Sequence, residues 1–157
     1  MKIIALCTTG LGMTLLCLTG CDRVAPQPSF AEPGWLTSVP DAQAQAKSEN
    51  KLVLLDFTGS DWCVWCKKLD AEVFSQQAFA DYAKSNLVLV EVDFPAQKKL
   101  AAALAKANDA LKDKYKITGY PTLVVLKPDG TVVWNQVGYM EGGPPAVIAK
   151  LEEAKKK

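Results

Sequence analysis

Two cysteines separated by two residues, Cys63-Val64-Trp65-Cys66, constrain this chain more than any other feature. They follow an apolar run and Asp61-Trp62, and precede Lys67-Lys68. The spacing can close a small disulfide ring. A first cysteine that caps a helix also sits at the positive end of the helix dipole, which favours its thiolate. Such a pair reads as a redox couple in which the first sulfur attacks and the second resolves. A zinc half-site also uses this spacing, but it needs two further soft or imidazole ligands. The chain has no His, and its other three cysteines, Cys7, Cys17 and Cys21, lie near the amino end. A purely structural disulfide is the weaker reading: a four-residue loop contributes only about 2 kcal/mol, against about 3 for a fifteen-residue loop. No metal and no separate cofactor are expected, the Cys63–Cys66 couple itself being the redox group. Met140 is the only methionine beyond the leader, so a copper-binding set is missing as well.

The amino end speaks to compartment. Lys2, an apolar stretch from Ile3 to Leu18 and small residues before Cys21 read as a secretory signal over residues 1–20. Thr8, Thr9, Gly10, Gly12 and Thr14 interrupt the stretch, which falls short of the roughly 20 apolar residues of a membrane span. Leu18-Thr19-Gly20-Cys21 resembles the bacterial lipobox, which implies acylation of Cys21 after cleavage. Asp22 resembles the signal that retains some lipoproteins in the inner membrane. Residues 21–34 are rich in Pro, Ala, Gln and Ser and read as a semi-extended acylated tether. The expected location is therefore the bacterial cell envelope, lipid-anchored on the periplasmic or other extracytoplasmic face.

Loss of Lys2 takes Lys plus Arg from 18 to 17, against 17 Asp plus Glu. A chain with no net charge offers no field for nucleic acid. Residues 35–157 have the size of one domain. A helix is predicted over 41–50 with Asp41 as its cap, a buried strand over 52–57, and a turn over 58–61. A helix follows from Cys63 to about Tyr82, interrupted near Ser75. A strand over 87–92 leads to a helix with Leu100, Leu104, Ala107, Leu111 and Tyr115 on one face. Strands over 122–126 and 131–137 join through Lys127-Pro128-Asp129-Gly130, and a helix over 145–155 closes the chain. This order predicts an α/β fold, a mixed central sheet with helices on both faces, with the Cys63 helix starting at the carboxyl edge of the sheet.

Three features at matching order and spacing resemble the thioredoxin superfamily over about residues 35–151. They are Asp56-Phe57 at a strand end, Trp62-Cys63-Val64-Trp65-Cys66-Lys67 opening a helix, and Gly119-Tyr120-Pro121-Thr122 before the hairpin. Within it, Asp61 to Phe74 and the Phe-Thr-Gly-Ser lead-in are similar to the periplasmic carboxyl-terminal domain of DsbD-type thiol:disulfide interchange proteins. The resemblance implies a thioredoxin fold, with Cys63 as the more exposed nucleophile and Cys66 as the resolving thiol. It implies a cis-proline at Pro121, the other reading being a trans proline at a strand entry. Tyr120 and Thr122 beside it, with Trp62 and Trp65, are the implied substrate contacts. Trp62 also reads as a packing lid, and Trp65 as leaning on the domain's own surface.

Asp56 resembles the buried family carboxylate that takes and returns the proton of the resolving cysteine. It lies seven residues before Cys63 rather than the usual six. One extra residue in the turn absorbs the difference; a slipped strand register would instead turn Asp56 to the other face, leaving Asp61 as the fallback. Lys67 and Lys68 favour the thiolate or are simply solvated.

The expected function is a membrane-anchored thiol-disulfide oxidoreductase that reduces disulfides of exported proteins and is recharged by a membrane electron donor of DsbD type. A monomer is expected, since no dimerisation segment is visible. The alternatives are an oxidase or isomerase of the same fold, or a non-enzymatic lipoprotein adaptor that holds client peptides near Pro121.

Overall fold

The computed structural model describes residues 34–157. The expected signal, Cys21, Asp22 and all but the last residue of the expected tether lie outside the described residues. The elements are β1 (Trp35–Leu36), α1 (Val39–Glu49), β2 (Leu52–Thr58), α2 (Val64–Leu69), a π-helical turn (Asp70–Phe74), α3 (Gln77–Asn86), β3 (Leu87–Asp93), α4 (Ala102–Tyr115), β4 (Thr122–Leu126), β5 (Val132–Val137) and α5 (Gly143–Lys155).

The five strands form one sheet in the order β1-β3-β2-β4-β5. β3 pairs parallel with β1 and β2, while β4 runs antiparallel to β2 and β5. This is the expected mixed sheet, with one addition. The two-residue edge strand β1 is too short to leave a period-2 signature in the sequence.

Every residue of β2 is buried, because both faces of the sheet are covered. Leu52 and Leu54 join Leu69, Val73, Phe79 and Leu151 in one core. Val53, Leu55 and Phe57 join Val39, Ala42 and Ala46 of α1 in the other. Side chains alternate along a strand, so Asp56 shares the face of Leu52 and Leu54, which α2 covers. The longer turn before Cys63 has absorbed the extra residue without a register slip.

Several local expectations need correction. Ser38 rather than Asp41 caps α1: its Oγ accepts from the Asp41 backbone N–H, and Pro40 occupies the first turn. The helix from Cys63 to about Tyr82 is interrupted at Ser75 as expected, α3 restarting at Gln77, but its first part ends in an unexpected π-helical turn. The apolar face assigned to α4 is only partly used. Leu100 precedes the helix, Ala107 is exposed, and the one fully buried residue is Asn108, whose Nδ2 donates to Asp93 O at 2.8 Å. The hairpin turn behaves as expected: Gly130 has φ 90° and Thr131 N donates to the Asp129 carboxylate.

Leu69 is the residue by which α2 grips the core, at 1% exposure. Leu69→Ala should cost about 2–5 kcal/mol in urea denaturation. A loss well under 1 kcal/mol would show that α2 is held by something else.

Candidate active site

β2 ends at Thr58, and the chain turns through Gly59-Ser60-Asp61 before α2. Two carboxylates pin this turn. Asp93, at the end of β3, accepts from Ser60 N at 2.9 Å and from Ser60 Oγ at 2.6 Å. Asp61 accepts from the backbone N–H groups of Ala96, Gln97 and Lys98 at 2.9, 2.7 and 3.0 Å. Those hydrogen bonds, the one from Ala96 foremost, hold its carboxyl below the ordinary range. Asp61, the fallback for proton transfer, is thus committed as an anionic clasp.

The turn delivers Cys63 as the N-cap of α2, with φ −80° and ψ 109°. Its Sγ accepts from Cys66 N at 3.1 Å, and Cys63 and Cys66 are joined in a disulfide with Cα atoms 5.2 Å apart. The first sulfur therefore lies where the helix dipole and an N–H donor both favour negative charge. The expectation that Cys63 is the more exposed of the pair is not met: each is 5% exposed. Closure of the ring folds the Cys63 side chain back over the first turn of α2, where the other sulfur covers it.

What stands exposed is the apolar rim. Trp62 is 46%, Val64 74% and Trp65 54% exposed. Trp62 is tied down as well: its Nε1 donates to Phe94 O at 2.8 Å, and its ring meets Tyr120 edge-on at 5.7 Å. That contact brings the Tyr120-Pro121 loop beside the cysteines. The Tyr120–Pro121 peptide bond is cis. Thr122 is turned inward, its Oγ1 donating to Gly119 O at 2.8 Å, so its side chain supports the loop and is not part of the exposed rim. Trp65 leans on the domain itself, its ring 5.7 Å from Tyr139, with Lys68 Nζ over both rings. Lys67 Nζ donates to Asp61 O at 2.9 Å.

Behind the disulfide lies a cavity of about 200 Å³ whose lining includes Asp56, Ser60, Cys66, Asp70 and Glu91. Asp56 is 8% exposed, and its Oδ1 has no hydrogen-bond partner. Burial pushes its carboxyl well above the ordinary range, and the nearby acids Glu91, Asp70 and Asp93 add to the effect. The structure thus brings Asp56 and Cys66 to one cavity.

Sequence reasoning passed over Val64, Phe94, Tyr139, Glu91 and Gly59. Glu91 and Asp93 did leave a signal, since they put acids where Leu87 and Leu89 set an inward alternation. Gly59 left one too: a Cβ there would lie 2.4 Å from Trp62 Cε2.

A sequence-family model described as a thioredoxin-like domain matches residues 39–155. Over 119 residues the chain is 35% identical to the disulfide bond reductase DsbH of Chlamydia pneumoniae, covering 76% of this chain and 71% of that protein. It is 31% identical over 108 residues to the thiol:disulfide interchange protein DsbD of Pasteurella multocida, a match spanning 65% of this chain but only 16% of that protein. The solved structure of a DsbH oxidoreductase superposes with a TM-score of 0.73 at 32% identity, over 88% of this chain and 95% of that one. The oxidised carboxyl-terminal domain of Neisseria meningitidis DsbD superposes at 0.56 over 76% of this chain and 98% of that one. At 20% identity, that is a likeness of fold alone.

Two outcomes test this geometry. Gly59→Ala should displace the Trp62 indole, read as a changed tryptophan emission; an unchanged spectrum would contradict the close packing. Asp56 has a raised pKa when folded, so its protonated form stabilises the fold below the unfolded value of about 3.9, and that contribution is lost as pH rises through the raised value. Asp56→Asn, which stays neutral, should therefore gain thermal stability over the wild-type oxidised protein at pH 8 but not at pH 4. An equal difference at both would place Asp56 in an ordinary environment.

Proposed function

The chain belongs to the thioredoxin-like domain family and is a thiol-disulfide oxidoreductase, and from that premise we propose that it works in the reducing direction on disulfides of exported proteins. The observation that carries the reading is the placement of the Cys63–Cys66 disulfide at the amino end of α2, beside the cavity that holds Asp56. The reducing direction draws support from the printed name of the relative in Chlamydia pneumoniae, a disulfide bond reductase.

In the cycle, the Cys63 thiolate attacks a client disulfide, and one client sulfur leaves with the bonding electron pair. Cys66 then loses its proton to Asp56 and attacks Cys63 Sγ. The mixed disulfide breaks, the second client sulfur is released, and the Cys63–Cys66 bond holds the two electrons' worth of oxidation. Asp56 ends the step protonated, which suits a carboxyl whose burial favours the neutral form. Trp62, Val64, Trp65 and Tyr120 offer an apolar rim for an extended client segment beside Pro121, with Thr122 bracing the loop from inside.

Return of the dithiol form needs a reductant, for which a membrane dithiol carrier of DsbD type fits by chemistry. No helix among the described residues is long and apolar enough to cross a membrane. Attachment would come through a lipid on Cys21, at the extracytoplasmic face of the envelope, with Asp22 favouring the inner membrane.

Insulin reduction with dithiothreitol should show turnover that Cys63→Ser abolishes; undiminished turnover would remove Cys63 from its role. For the anchor, Cys21→Ala should move the protein from the membrane to the soluble fraction, and a variant that still sediments with membranes would refute acylation there.

A further inference from the structure

Asp56 does not face its cavity alone. β2 and β3 run parallel with Asp56 in register with Glu91, and both residues line the cavity together with Cys66. Glu91 follows Leu87 and Leu89 on the side of β3 that meets the core beneath α2. The two carboxyls differ in access. Asp56 is 8% exposed with an unpartnered Oδ1, whereas Glu91 is half-buried. Asp56 itself keeps little contact with water. The strand neighbour that shares the cavity and also meets solvent is a group that can take its proton.

We propose that Glu91 is a positioning residue for the thiol step, the outer carboxyl of a two-carboxyl relay that carries the Cys66 proton between Asp56 and solvent. The inference rests on the reading above in which Asp56 accepts that proton. Heterolysis of the Cys66 S–H bond leaves the electron pair on Sγ and puts the proton on Asp56. The Cys66 sulfur bonds to Cys63 Sγ as the bond from Cys63 to the client breaks, and the client sulfur takes that electron pair. Asp56 passes the proton to Glu91, which gives it to water, and the client thiolate is protonated from the same pool. On re-reduction by a dithiol carrier the route runs in reverse.

Other charges face this site. Asp70 comes from the π-helical turn, Asp93 from the end of β3, Lys67 from α2 and Lys98 from the following loop. Glu91, Asp70 and Asp93 all oppose ionisation of Asp56, and Glu91 is the one in strand register with it.

The test follows Cys63 and Cys66 of the reduced chain from residue 21 onward, with Cys21 acylated or replaced by Ser so that no other thiol is present, reacting with dithiobis(nitrobenzoate) under stopped flow. The first thionitrobenzoate released reports attack by Cys63, and the second reports resolution by Cys66. The second phase should show a pH inflection that Asp56→Asn removes. In Glu91→Gln that inflection should move to lower pH by on the order of one unit, because a like charge has gone. Steady-state turnover with insulin should fall several-fold, and Glu91→Asp should restore both. An unmoved inflection in Glu91→Gln overturns the proposal, as does a uniform fall in rate with the inflection unmoved, which is what a structural effect gives. An inflection that survives Asp56→Asn removes Asp56 from the step, and Glu91 with it.

Discussion

The amino end of α2 is fixed by two carboxylates whose hydrogen bonds join the turn before it to the end of β3 and the segment that follows. Asp93 takes both donors of Ser60, and Asp61 takes three consecutive backbone N–H groups of the segment after β3. Charge-assisted bonds of this kind are the stronger class of hydrogen bond. They tie the turn before Cys63 to the end of the neighbouring strand, so that the helix begins at Val64 with Cys63 as its cap. Without that clasp, a seven-residue gap between Asp56 and Cys63 would leave the start of α2 free to drift. With it, the dipole and the Cys66 N–H act on one defined sulfur.

The same constraint sorts the acids near the site into opposite roles. Asp61 is surrounded by N–H donors and is held ionised. Asp56 is buried, with an oxygen that has no partner and like charges for neighbours, and its carboxyl is pushed well above the ordinary range. A carboxyl whose hold on a proton is strengthened beside the Cys66 sulfur can take one from a thiol there, and its environment rather than its residue type makes it able to. The aromatic side chains complete the division. Trp62, Phe94 and Tyr120 knit the turn, the segment after β3 and the Pro121 loop together, while Trp65 rests on Tyr139.

Much of this was legible in the sequence because it rests on local chemistry. The cysteine spacing, the short apolar run from Leu52 to Phe57 and the Pro-Asp-Gly turn are each short-range signals, and each element formed where those signals put it. The misses are long-range or cooperative. β1 has two residues and exists because β3 offers an edge. The α4 face was read from apolar spacing, yet its buried anchor is Asn108, whose partner lies on another element. Ser38 displaced Asp41 as a cap because Pro40 fits the first helical turn. Burial of Cys63 could not be read from its spacing, since it follows from ring closure over the helix end. The role of Asp61 depended on where residues 96–98 fold back, which no local pattern encodes. Asp56 is the instructive case: its spacing left two faces open, and the parity of β2 against two cores decided between them.

The central claim is that this chain uses a thiolate held at the amino end of α2 to give electrons to client disulfides. A redox titration of the Cys63–Cys66 couple against glutathione or dithiothreitol buffers tests it most directly. The account predicts a reducing couple, with a potential near the roughly −270 mV of thioredoxin. A potential near the roughly −120 mV of the oxidant DsbA would contradict it.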